Sequence, residues 1–293
     1  MKSGYVAVVG RPNVGKSSLV NAFVGQKVSI TGPKPQTTRN KILGIKNLPN
    51  AQIVFVDTPG STNRKGALAA FLSESIKSGL DGADVVLAVV DGNRLNSADF
   101  DLLSKLSQKK VPVVLAINKM DLFEFEKVYP KLKEIGAADF SAIVNVSAKT
   151  GENLEILERE ILKLLPEGER FFDEDAVTDK TERFMVSELV REKALLFLQE
   201  EIPHGVAVDV PVFEEKQDIV KINVDIIVSK KRHKSIVIGK NGEMLKKIAS
   251  SARTEIETML QKKVYLSCFV KVEENWTEDK MQLKSIGYDI KNV

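Results

Sequence analysis

Gly10-Arg11-Pro12-Asn13-Val14-Gly15-Lys16-Ser17 fits the spacing G-x-x-x-x-G-K-[ST], and it falls between an apolar strand pattern and a helical one. Two glycines let the backbone curl until several N–H groups point at one anion, at the positive end of the helix that follows. Asn13, Val14, Gly15, Lys16, Ser17 and Ser18 are therefore the expected phosphate contacts. The Lys16 ammonium reaches the β- and γ-phosphates, and the Ser17 hydroxyl ligates Mg²⁺. By itself the run specifies a nucleoside triphosphate and leaves the base open.

Three further strings follow in chain order, each ending an apolar run. Asp57-Thr58-Pro59-Gly60 offers a carboxylate for the Mg²⁺ shell and a Gly60 N–H for the γ-phosphate. Asn118-Lys119-Met120-Asp121 and Ser147-Ala148-Lys149 address the base. The Asp121 carboxylate accepts from the N1–H and exocyclic amine of guanine, whereas adenine, with no N1–H, leaves that carboxylate unpaired. Asn118 braces the loops and contacts the base, Lys119 lies along its face, and the Ala148 N–H donates to O6. The polar stretch Thr31–Asn40 supplies a switch threonine, Thr38 first and Thr37 as the fallback. Together these strings predict a GTPase with Lys16, Thr38 and Gly60 at its reacting end and Ser17, Thr38 and Asp57 around the metal.

Strands over Tyr5–Val9, Gln52–Val56, Val85–Val90, Val113–Ile117 and Ala142–Val146 must carry these strings. They alternate with helical patterns at Lys16–Val24, Leu68–Leu80, Ala98–Leu106, Phe125–Ile135 and Leu154–Leu165. Near-continuous Val/Ile runs separated by helices predict an α/β fold with a mostly parallel sheet, whose ligands sit at the carboxyl ends of the strands. This P-loop domain is expected over 1–168, with an acidic, Gly-containing linker over 169–181.

A second rhythm occupies 182–276: an amphipathic helix over Met185–Glu201, three alternating strands, and a helix over Glu243–Leu260 before the third strand. Val206, Val208, Val210 and Val212 share one face of the first strand, and Pro211 places that strand at an edge or a bulge. Gly239-Lys240-Asn241-Gly242 is G-x-x-G opening a helix, the arrangement in which KH domains clamp about four unpaired nucleotides. From 230 to 247 seven Lys/Arg face one acid, Glu243. Lys231, Lys234, Ile236, Ile238, Gly239, Lys240, Asn241, Gly242 and Lys246 are the expected RNA contacts, with core packing equally open for the two isoleucines. Trp276 is open between stacking a base and anchoring the core. The tail, 277–293, has no pattern.

Of the 293 residues, 43 are basic and 40 acidic, so overall charge does not announce nucleic acid. The one cysteine, Cys268, excludes an internal disulfide and reads as a buried small side chain in a reducing, cytoplasmic setting. No apolar run approaches the roughly 20 residues of a membrane span, which leaves only peripheral membrane association open. His204 and His233 lack companions for a zinc site.

With these residues in place the chain resembles the bacterial Era GTPases of the wider TrmE–Era–EngA class. The strings that carry the resemblance are Gly10–Leu19, Gln36-Thr37-Thr38-Arg39-Asn40, Asp57-Thr58-Pro59-Gly60, Glu188–Lys193, Glu200-Glu201-Ile202-Pro203, Ile236–Gly242 and Val270–Trp276. The resemblance implies slow GTP hydrolysis coupled to 16S rRNA binding near its 3′ end, on the 30S subunit during its assembly, with a type II KH domain. It also implies a K⁺ ion near the phosphate loop, with Asn13 as its ligand. Ser61-Thr62-Asn63-Arg64-Lys65 departs from the family pattern and motivates a competing expectation: an RNA-binding chaperone whose nucleotide site scarcely hydrolyses. A GTPase with another client, in tRNA modification or metal transport, is a third; the KH-like half argues against transport.

Overall fold

A computed structural model describes residues 1–34, 36–60, 66–108, 110–122, 126, 130, 140–199 and 202–288. The expected helix over Phe125–Ile135 and the string Ser61–Lys65 lie outside these, wholly or mostly. The described chain packs as two compact units: 1–31, 38–60 and 72–179 in the first, and 32–37, 66–71 and 180–288 in the second.

In the first unit six strands form one sheet: β1 (Lys2–Val9), β2 (Ile42–Leu48), β3 (Ala51–Asp57), β4 (Val85–Asp91), β5 (Val113–Asn118) and β6 (Ala142–Asn145). Their order is β2-β3-β1-β4-β5-β6, parallel except for the antiparallel β2–β3 pair. Helices α1 (Lys16–Val24), α3 (Ser97–Ser107) and α4 (Leu154–Leu164) follow β1, β4 and β6, and α2 (Ala67–Leu80), of which residues 72–80 belong to this unit, follows β3. β3 and β4 are buried at every position, which is why they read as unbroken apolar runs.

Strand β2 is absent from the sequence reading because glycine and polar residues interrupt it. Gly44 is required there: a Cβ would meet Val20 Cγ1 of α1 at 2.5 Å. Part of the expected linker is also more ordered than its composition suggests. The buried Gln52 amide donates to the Phe172 carbonyl (2.8 Å) and accepts from the N–H groups of Phe171 (2.8 Å) and Phe172 (3.0 Å). Ile45 N–H donates to Val177 O (2.9 Å), and Leu43 N–H to Asp179 Oδ1 (3.0 Å). Residues 177–179 thus cover part of the free edge of the sheet at β2.

The second unit runs α5 (Glu182–Phe197), β7 (Val206–Glu215), β8 (Ile219–Val228), α6 (Lys231–Ile238), α7 (Glu243–Leu260), β9 (Lys263–Val272) and α8 (Lys280–Ser285). β8 pairs antiparallel with β7 and parallel with β9. β7 is both an edge strand and bulged between Asp209 and Val212, as Pro211 requires. The bulge corrects one expectation. Val212 leaves the face of Val206, Val208 and Val210, and Phe213 packs on the core instead. Cys268 lies against that core, and burial pushes its thiol up to about 12, consistent with an inert side chain.

Trp276 is an anchor. It is fully buried, donates from Nε1 to Gly205 O (3.1 Å) and stacks on Tyr288 at 5.9 Å. The tail that lacked pattern therefore packs into the second unit: Asp279 caps α8, and Leu283 and Tyr288 are buried. Trp276→Ala should cost about 3–5 kcal/mol of this unit's stability, read by circular dichroism in urea because it removes the chain's one tryptophan.

Candidate functional site

The phosphate loop follows β1 because its glycines admit a path that other residues would block. A Cβ on Gly10 would meet Val89 O at 2.3 Å, and one on Gly15 would meet Asn118 Nδ2 at 2.2 Å. Gly15 also takes the left-handed conformation (φ 100°) as it caps α1. Asn13 is left-handed as well, at φ 65°.

Lys16 is buried, and its ammonium donates to the carbonyls of Gly10 (2.9 Å) and Arg11 (3.1 Å). Burial lowers its pKa to about 8, with Asp57 acting in the opposite direction. The Ser17 hydroxyl donates to Asp57 Oδ2 (2.6 Å) and lies 2.7 Å from Thr38 Oγ1. Asp57 is fully buried, its pKa raised mainly by desolvation, and its Oδ1 has no partner among the described residues. Two hydroxyls and a carboxylate with an unsatisfied oxygen form a hard-oxygen donor set that fits Mg²⁺. Gly60 packs on Pro12, where a Cβ would come within 2.8 Å.

Thr37 and Thr38 part company. The Thr38 hydroxyl turns to Ser17 in the first unit. Thr37 belongs to the second unit, where its hydroxyl donates to Lys34 O (2.6 Å) and its carbonyl accepts from the buried Arg191, itself paired with Glu188. Only Thr38 therefore joins the donor set.

At the base end, Asn118 Nδ2 donates to Val14 O (2.8 Å) and Asn118 Oδ1 accepts from Ala148 N–H (3.0 Å). The N–H expected to meet guanine O6 is thus engaged by Asn118, and donation to the base requires that bond to be shared. Ser147 Oγ holds Asp121 Oδ1 at 2.7 Å and accepts from Thr150 N–H at 3.1 Å, so Ser147 fixes the orientation of the Asp121 carboxylate. Asp121 itself is exposed and open to a ligand, as is Lys149. Lys119 donates to Asn13 O (2.8 Å) and to Asp91 Oδ2 (2.7 Å). Asp91 is absent from the sequence reading; its signal is an acid closing the otherwise apolar run Val85–Val90.

In the second unit α6 ends at Gly239 and α7 begins after Gly242. Gly239 (φ 73°) has no room for a Cβ, which would meet Met244 N at 2.9 Å; Gly242 (φ 79°) faces open space. Lys231, Lys234, Lys240, Asn241 and Lys246 are exposed around the turn. Ile236 is 48% exposed, whereas Ile238 packs on the core, so the two isoleucines separate. Lys247 lies over the Phe197 ring at 4.4 Å. Among the described residues no cluster of His, Cys, Asp and Glu could hold a metal, and no helix is long and apolar enough to cross a membrane.

Residues 5–119 match the family model described as a 50S ribosome-binding GTPase, and residues 201–277 match that of the KH domain. The chain is 45% identical over 298 residues to a protein named GTPase Era from Caldicellulosiruptor saccharolyticus, covering 100% of this chain and 99% of the relative. It is 44% identical over 289 residues to GTPase Era from Halothermothrix orenii, covering 98% of each. Among solved structures it is similar to a tyrosine-to-alanine variant of Aquifex aeolicus Era bound to GDP and AlF4⁻, with a TM-score of 0.94 and 40% identity over 99% of this chain and 100% of that one. Equally similar is Era in complex with MgGDPNP and nucleotides 1506–1542 of 16S ribosomal RNA, with a TM-score of 0.94 and 40% identity over 99% of each chain.

The buried Lys16 gives a pH prediction. Phosphates favour its charged form, so its pKa rises when nucleotide binds. Below about 8 the lysine is already protonated and affinity is full. As pH climbs through 8, binding must take up a proton, and GDP affinity should fall by up to about tenfold per pH unit. Calorimetry in buffers of different ionisation enthalpy should detect that uptake above pH 8 and none at pH 6.5.

Proposed function

The chain belongs to the Era family of GTPases, and from that premise we propose that GTP hydrolysis in its first unit is coupled to small-subunit rRNA binding, near the 3′ end, by its KH unit during 30S assembly in the cytoplasm. The observation that carries the enzymatic half is the Ser17–Thr38–Asp57 donor set beside the buried Lys16. Support for the RNA half comes from the Gly239–Gly242 turn with its exposed lysines, and from the relative solved with 16S rRNA nucleotides.

In the proposed mechanism Lys16 exchanges its two carbonyl partners for β- and γ-phosphate oxygens. Ser17, Thr38 and Asp57 would hold Mg²⁺, which when bound would supply positive charge at the phosphate end of the site. The phosphate-loop N–H groups and that of Gly60 stabilise charge on the transferring phosphoryl group as water attacks. Asp121, held by Ser147, reads the guanine N1–H and amine. A K⁺ ion at Asn13 would add positive charge on the phosphate-loop side.

Phosphate release measured with K⁺, with Na⁺ and with RNA tests the enzymatic reading. The wild type should exceed the uncatalysed rate, and Lys16→Ala should lose at least about 10²-fold. A rate indistinguishable from uncatalysed in every condition would leave the non-hydrolysing chaperone. Equal rates in K⁺ and Na⁺ would remove the K⁺ role alone. For the RNA half, crosslinking in the GTP-analogue state should enrich the 3′ region of 16S rRNA, and Gly242→Asp should abolish the enrichment. Intact binding in that variant would overturn the assignment.

A further inference from the structure

Two buried carboxylates near the nucleotide site have no part in the mechanism proposed above. Asp91 closes β4 and is 4% exposed; Asp99, in the first turn of α3, is fully buried. Neither presents surface to a ligand. Both are nonetheless tied to the phosphate loop, each through one basic side chain.

Asp91 Oδ1 accepts from Asn93 N–H (3.0 Å), and its Oδ2 accepts from Lys119 Nζ (2.7 Å). The same ammonium donates to Asn13 O (2.8 Å). Asp99 receives Arg11 bidentately, Nε at 2.7 Å on Oδ1 and Nη2 at 2.6 Å on Oδ2, while Oδ2 also accepts from Asn96 N–H (3.0 Å). Arg11 Nη2 adds a bond to Arg94 O (2.9 Å). The residues so held, Arg11 and Asn13, flank Pro12, which has no N–H to donate. Asn13 in addition keeps a left-handed backbone, which asparagine tolerates better than most residues.

We infer that the connection from Asp91 to Asp99 is a brace for the phosphate loop, in which Asp91 and Asp99 are positioning residues that lengthen the residence of bound guanine nucleotide through Lys119 and Arg11. The inference rests on the nucleotide-site reading above. Removing either carboxylate leaves a basic group without its charge partner and frees one shoulder of the loop, so the loss falls on the nucleotide's off-rate.

The test is release of a fluorescent GDP analogue from the full chain, with a double-mutant cycle. Asp91→Ala should speed release about tenfold, but less than about twofold when added to Lys119→Ala, because the two act in series. Asp99→Asn, which retains a side-chain acceptor for the helix cap, should also speed release, and so should Arg11→Ala made from the solvent side. The ratio of GDP to IDP affinity should stay unchanged in Asp91→Ala, since the exocyclic amine is read by Asp121. Unchanged release in Asp91→Ala and Arg11→Ala, full additivity with Lys119→Ala, or a collapsed GDP/IDP ratio would each overturn the brace. A wild-type chain that fails to retain GDP would overturn the nucleotide-site reading itself.

Discussion

One side chain closes the nucleotide site on itself. Asn118 donates to Val14 of the phosphate loop and accepts from Ala148 of the turn after β6, while its amide nitrogen stands 2.2 Å from where a Cβ of residue 15 would lie. Glycine at 15 is therefore demanded twice, by its left-handed backbone and by the asparagine pressed against it. Three loops that leave three different strands are held in register by a single amide. Their spacing sets the distance between the phosphate end and the base end, so a nucleotide engages both ends together or binds poorly.

Around that tie the charges are arranged for a ligand that brings its own. Lys16 and Asp57 are both buried, and burial moves both pKa values toward the neutral form. Such a pair is costly while its partners are only carbonyls and hydroxyls. The phosphates and divalent cation proposed for this site would resolve both deficits at once, which would account for residues destabilising in isolation. The second unit follows another logic. Its lysines stay in solvent around a turn whose glycines keep the backbone low, so a phosphate chain can approach from outside.

What could be read before folding was the part of the molecule whose chemistry is local in sequence. Gly15, Lys16 and Ser17 are consecutive, and Asp57, Asn118 and Asp121 each close or follow a strand that is buried on both faces. The apolar run predicts the strand, and the parallel sheet brings the strand ends together. The G-x-x-G turn is legible for the same reason, since two glycines and the helix after them are contiguous. Tight local geometry leaves a local signature.

Other features depend on contacts between residues distant in the chain, and no short window contains them. Thr37 and Thr38 are equivalent as letters; only packing brings the Thr38 hydroxyl to Ser17 and the Thr37 carbonyl to Arg191. Gln52 ordering residues 171–172, Trp276 bonding Gly205, and Asp91 and Asp99 holding Lys119 and Arg11 all join partners 28 to 120 residues apart. The candidate nucleotide-binding strings and most of the element order, though not β2 or α8, were legible in the sequence, because motif spacing and hydrophobic period act over a few residues. Tertiary structure alone decided which polar side chains support that chemistry, because a buried hydrogen bond is satisfied by whatever the fold brings within about 3 Å.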